Sequence, residues 1–236
     1  LFSRLTSSNK QDENSSFIRG AAEAPPHIRK ALHCDSTNGW AELGIEVRSL
    51  LKDRGDLAVG TVADGAMDKV ESHTLRILEE AGDNRIISLG GDHSITFPLI
   101  KAFSKKFKGN LSIEYNIQPF HLNDLFSRLH LDAHGDIYED FEGKFYSHAS
   151  PFARIMERGL VKKLFTIGVR GIPNHHRDQM KKYGVECVEM RHYTPSLPLV
   201  FDTPLYLSID IDAIDPAHAP GVSHWEPGGF TSREVS

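Results

Sequence analysis

Three short apolar runs in this chain each end abruptly in aspartate, two of them with histidine as well. Arg85-Ile86-Ile87-Ser88-Leu89 runs into Gly90-Gly91-Asp92-His93-Ser94, and His130-Leu131 runs into Asp132-Ala133-His134-Gly135-Asp136. Leu205-Tyr206-Leu207-Ser208-Ile209 runs into Asp210-Ile211-Asp212. Apolar runs of this length, bounded by glycine or charge, read as buried strands. Strands buried on both faces belong to parallel sheets, which need helical crossovers. In such sheets ligands collect beyond the carboxyl ends of the strands. All three clusters stand at such an end.

Helical periodicity fills the intervals. Met67, Val70, Thr74, Ile77, Leu78 and Ala81 share one face, which predicts a helix over 67–81 stopped by Gly82. Pro25-Pro26 precedes a short helical stretch at 27–32, and Leu99, Phe103 and Phe107 mark another over 95–107. Ser150 is placed to cap a helix over 150–157, with Gly159 beyond it. A strand over 164–169, a helix over 173–183 closed by Gly184, and a strand over 185–188 follow. Strand alternating with helix predicts an α/β fold with a doubly wound, mainly parallel sheet. No linker or solenoid period breaks the pattern, so residues 1–236 are read as a single domain. The polar residues 1–13 are expected to be flexible.

Charge and composition exclude some partners. A net charge of -5 gives no electrostatic reason to bind nucleic acid. No apolar run reaches the roughly 18 residues that span a membrane, and no signal-peptide core is visible. Cys34 and Cys187 are expected as free thiols. The location expected is the cytoplasm, or the mitochondrial matrix if a transit segment once preceded Leu1.

The chemistry lies in the clusters. His93 alone reads as readily as a turn histidine as a ligand. Asp132, His134 and Asp136 sit at i, i+2 and i+4, so on an extended segment their side chains point the same way. Asp210 and Asp212 are paired carboxylates that repel and are costly to bury unless a cation compensates. Together these are four carboxylates and two imidazoles, enough for two divalent ions if two carboxylates bridge. Oxygen ligands mixed with imidazole favour Mn²⁺, while zinc, iron and cobalt also suit the ligand types.

With these segments in place, the sequence resembles the ureohydrolase (arginase/agmatinase) family, most of all plant-type arginases and their bacterial relatives. Asn14-Ser15-Ser16-Phe17, Arg19-Gly20, Tyr146-Ser147-His148-Ala149-Ser150, Gly168-Val169-Arg170, Asp215-Pro216 and Glu226-Pro227-Gly228-Gly229 extend the likeness over most of residues 14–235. The resemblance implies a three-layer αβα, arginase-like fold with two Mn²⁺ per subunit. By it, His93 and Asp136 with bridging Asp132 and Asp210 hold one ion, and His134 and Asp212 with the same bridges hold the other. A metal-bridging hydroxide would hydrolyse a small guanidino substrate: L-arginine to ornithine plus urea, or agmatine to putrescine plus urea. His148 matches the family's proton-shuttling histidine, although from the residues alone it reads equally as an exposed loop histidine. A homo-oligomer, trimer or hexamer, is implied as well.

Two departures stand out. The family's pattern continues beyond Glu-Pro-Gly-Gly, so the domain is read as incomplete at its C-terminus, and a carboxylate that helps hold the guanidinium in many members has no counterpart here. Residues 114–128 also intervene where the family runs from Leu111-Ser112-Ile113 straight into Leu129-His130-Leu131-Asp132. That segment is expected to lie outside the sheet as an insertion. These departures keep open a catalytically impaired, truncated paralogue that binds metal or partner subunits; a second enzyme reading, a deacetylase-like or phosphoesterase-like metal hydrolase, rarely combines all three segments in this order.

Overall fold

The computed structural model describes residues 2–4, 12–82, 85–108, 127–199, 201 and 204–235. The chain divides into two compact units, Leu1–Ala102 and Phe103–Ser236.

In the first unit, in chain order, stand β1 (Phe2–Arg4), α1 (Ala24–Leu32), α2 (Val47–Leu50), β2 (Asp53–Asp56), α3 (Ala66–Ala81) and β3 (Ile87–Leu89). Its sheet is parallel, with order β2-β1-β3. The segment expected to be flexible therefore begins with the central strand: Phe2 pairs with Ile87, Ser3 with Ser88 and Arg4 with Leu89. A central strand satisfies its backbone groups on both sides, which a polar average over thirteen residues conceals. Asp12 and Asn14 are also buried. The predicted helix over 67–81 is α3, and its apolar face is the buried one: Met67, Val70, Thr74, Ile77, Leu78 and Ala81. Burying a valine or isoleucine side chain contributes roughly 1.5–3 kcal/mol, so this stripe holds the helix. Gly82 ends it with φ 58.

After β3 comes a 3-10 turn, His93–Ile95, and then α4 (Thr96–Lys108). Gly90 is needed here for close approach. A Cβ on it would collide with Ile95 Cδ1, and its φ is not positive.

The second unit contains β4 (Ser127–Leu131), α5 (Pro151–Glu157), β5 (Lys163–Val169), α6 (Asn174–Tyr183), β6 (Glu186–Glu189), β7 (Leu205–Ile209) and α7 (Ser232–Val235). Its sheet is parallel with order β6-β5-β4-β7. Central β4 keeps one unbroken register with both neighbours, from Ser127 opposite Lys163 and Leu205 to Leu131 opposite Ile167 and Ile209. This corrects the expectation for residues 114–128. Ser127 and Arg128 belong to the sheet, because β4 needs them to match its neighbours' length. Residues 111–113 and 114–126 lie outside the described residues.

Because these strands run parallel, β4, β5 and β7 release the chain at one edge, where Asp132, Arg170 and Asp210 follow. Beneath that edge Leu129, Ile167, Ala213 and Phe230 form a buried cluster. Gly168, at φ +99, lets it close, since a Cβ there would strike the Phe230 ring at 2.5 Å. Ser150 does precede α5, but its side chain makes no capping hydrogen bond. Gly184 closes α6 in the left-handed region, as expected.

Candidate metal centre

His130 and Asp132 are two residues apart at the end of β4 and fall on the same side of it. Both are buried, at 0% and 1% exposure. His130 Nε2 lies 2.7 Å from Asp132 Oδ2, and the His134 backbone N–H donates to Asp132 Oδ1 at 2.6 Å. Phe152, on α5, packs its ring 4.2 Å from the His130 ring. Asp132 is thus held through both oxygens in a buried setting.

The run 132–136 is not extended, contrary to the sequence expectation. β4 stops at Leu131, the chain bends at Ala133 and His134, and Asp136 takes φ 44. Aspartate tolerates that left-handed conformation better than most residues. The bend presses Gly135 against α6: a Cβ there would lie 2.8 Å from Met180 Cε and 3.1 Å from His176 Nδ1. On the other side of the loop, the Phe152 N–H donates to the Asp136 carbonyl.

β7 supplies the second pair. The Asp210 side chain accepts from the Asp212 N–H at 3.1 Å, opening a 3-10 turn, Ile211–Ala213. That turn brings Asp212 Oδ1 to the Ala133 N–H at 3.2 Å. Asp212 Oδ2 lies 3.1 Å from His134 Nδ1, and Asp132 Oδ1 lies 3.5 Å from the same nitrogen. Asp132, His134 and Asp212 each offer a ligand atom within 4.8 Å of the others.

Electrostatics show what the cluster lacks. Burial alone would lower the His134 pKa, but the hydrogen bonds and charges of Asp132 and Asp212 outweigh it and raise the imidazole to about 12. Burial, then the neighbouring charge of Asp132, raises the Asp212 carboxyl despite His134, and Asp136 adds to the effect. Two buried carboxylates against one imidazole nitrogen call for compensating positive charge. Imidazole plus carboxylate is a donor set that a divalent cation of the manganese or zinc kind fits.

The other candidates fall as follows. His93 lies in the first unit, opening the turn after β3 next to Asp92, whose side chain caps that turn. Its assignment as a ligand rests on its motif. His148 lies in the loop before α5, its ring 6.2 Å from Phe141 and 5.9 Å from His224. His224 in turn sits 5.8 Å from His134, ring to ring, so it stands between the cluster and His148.

Three neighbours of the cluster, His130, His224 and Glu226, are not singled out by the sequence pattern. His130 was visible as the residue two before Asp132, but it was read only as strand. Glu226 stands within the Glu226-Pro227-Gly228-Gly229 motif with no role readable from it, and His224 lies outside every motif; nothing in their spacing shows that their loop returns to the cluster. Arg170 explains that return: its guanidinium donates to the carbonyls of Gly168, Ala213, Asp212 and Glu226 at 2.7–3.1 Å.

A parallel α/β scaffold that gathers carboxylates and imidazole at one strand edge defines a class of proteins built to hold cations there. A model of the Arginase family matches residues 9–236. The mitochondrial arginase of Medicago truncatula is 42% identical over 236 residues, covering 94% of this chain and 65% of that protein. Arginase 1, mitochondrial, of Arabidopsis thaliana is 43% identical, with the same coverage. The solved structure of the arginase from Medicago truncatula matches with a TM-score of 0.84 at 39% identity, over 99% of this chain and 73% of that one. The chain belongs to the arginase family, a metal-dependent one, and has its three-layer α/β fold. It spans about 65% of the length of these two curated relatives.

Proposed function

We propose that the protein hydrolyses a guanidino group with two Mn²⁺, releasing urea. The observation that carries this reading is His134 held between Asp132 and Asp212, with Nδ1 turned to both carboxylates. The proposed ligands are Asp132, His134, Asp136, Asp210 and Asp212 of the second unit, with His93 assigned on its motif alone. Bound divalent cations would supply Lewis acidity and a water deprotonated near neutral pH.

The chain's own residues do the rest. Asp132 is oriented by His130 and by the loop N–H of His134, so it keeps its place when the carboxylates are charged. His148 gives a proton to the departing amine nitrogen, a task suited to an imidazole positioned as general acid. L-arginine is the preferred substrate in this reading, because the relatives at 42–43% identity are named arginases; agmatine is the alternative. Those relatives are also named mitochondrial, which favours the matrix over the cytoplasm as location. Among the described residues no helix is long and apolar enough to cross a membrane. A trimer or hexamer is the proposed assembly.

The test is urea release from L-arginine and from agmatine by Mn²⁺-loaded protein, with metal-free protein as control. Metal-dependent urea from arginine is expected. Metal-loaded, folded protein that yields urea from neither substrate would end this reading and leave the impaired paralogue.

A further inference from the structure

The two nitrogens of His134 face different carboxylates. Nδ1 looks inward to Asp212 and Asp132. Nε2, on the opposite edge of the ring, faces Glu226 Oε1 at 3.6 Å. The Glu226 side chain is 41% exposed, whereas that of Asp132 is 1% exposed. Glu226 therefore approaches the imidazole from the solvent side, away from the Asp132–Asp212 pair.

This placement is built into the fold. One nitrogen of Arg170, Nη2, donates both to the Glu226 carbonyl at 2.7 Å and to the Asp212 carbonyl at 2.8 Å. The segment that carries Glu226 is fastened again just beyond it. Gly228 and Gly229 donate to the Asp215 carboxylate, and Phe230 exchanges backbone hydrogen bonds with Ala213 and Asp215. Gly229 is required for that closure, because a Cβ would lie 2.6 Å from the Ala213 carbonyl oxygen. The loop thus holds Glu226 at a set distance from the Asp212 turn.

We infer that Glu226 is a positioning residue for His134, accepting the Nε2 proton so that Nδ1 keeps its lone pair and orientation for a cation. A histidine that ligates through one nitrogen is neutral and carries its proton on the other; an acceptor at that second nitrogen fixes the tautomer, holds the ring plane and raises ligand basicity. Glu226 is the carboxylate that meets Nε2. The inference rests on the reading of His134 as a ligand.

The test is Mn²⁺ affinity, measured by titration calorimetry on the intact protein. Glu226→Ala is expected to weaken Mn²⁺ binding about 10–100-fold, the range for loss of an outer partner. Glu226→Gln keeps a carbonyl acceptor for Nε2–H and is expected to recover most of that loss. At saturating Mn²⁺ the KM for the guanidino substrate should stay unchanged in Glu226→Gln. If Glu226→Ala does not fold, Glu226→Asp, which withdraws the carboxylate by one methylene, should also weaken Mn²⁺ binding measurably. Unchanged Mn²⁺ affinity in folded Glu226→Ala, or in Glu226→Asp where it stands in for it, overturns the inference, including the case in which KM alone rises and Glu226 proves to hold substrate. Wild-type protein that binds no Mn²⁺ would instead sink the underlying reading of His134.

Discussion

His130 and Asp132 meet at 2.7 Å, Nε2 to Oδ2, with neither side chain open to solvent. Asp132 also accepts the His134 N–H, so both of its oxygens are oriented by β4 and the loop that leaves it. If His130 holds that carboxylate in place for a cation, His130→Leu should keep the fold while lowering Mn²⁺ affinity about 10–100-fold. Equilibrium dialysis against Mn²⁺ checks this. Wild-type affinity in the variant would show that Asp132 needs no such partner.

His148 stands one ring beyond the cluster, stacked at 5.9 Å on His224. His148→Asn is expected to lower turnover by ~10²–10⁴-fold, as for loss of a general acid, with metal content intact. Steady-state kinetics beside metal analysis decides it. Metal lost together with activity would make His148 a ligand or a structural residue.

His176 predicts an acid weakness. It is buried on α6 against the Gly135 bend, and burial first, then the charges of His175 and His134, pushes its pKa down to about 4. An unfolded histidine titrates near 6.5, so below that pH the unfolded chain gains a proton that the folded chain refuses. The contribution is present above pH ~6.5 and is lost as pH falls towards 4, by about 2–3 kcal/mol in all. His176→Asn should therefore show a flatter fall of Tm between pH 6.5 and 4 than the wild type. Parallel curves would mean that His176 does not set the acid limit.

Much of this was legible before any coordinates. The buried face of α3 follows from 3.6-residue spacing, and the strand ends at Asp132 and Asp210 follow from apolar runs that stop at charge. β1 was lost because three strand residues are submerged in a polar segment, and strand pairing at that length depends on neighbours distant in sequence. Ser127 and Arg128 were misread for a related reason: their polarity argued against a central strand, yet register with β5 and β7 places them in one. In the candidate metal centre, residue types and motif order pick out Asp132, His134 and Asp212, which the structure brings together, but alternation misdescribes how they converge. Asp136 reaches its place through a left-handed turn, and Glu226 reaches His134 through a loop tied down by Arg170. Neither tie has a local period to read.

Metal stoichiometry tests the proposed two-ion site most directly. Mass-spectrometric metal analysis of folded protein equilibrated with Mn²⁺ should give two ions per chain. Asp132→Asn or Asp210→Asn, each removing a proposed bridge, should lose more metal than Asp212→Asn, which removes a ligand to one ion. One ion or none in the wild type, or equal losses in all three variants, would contradict the account.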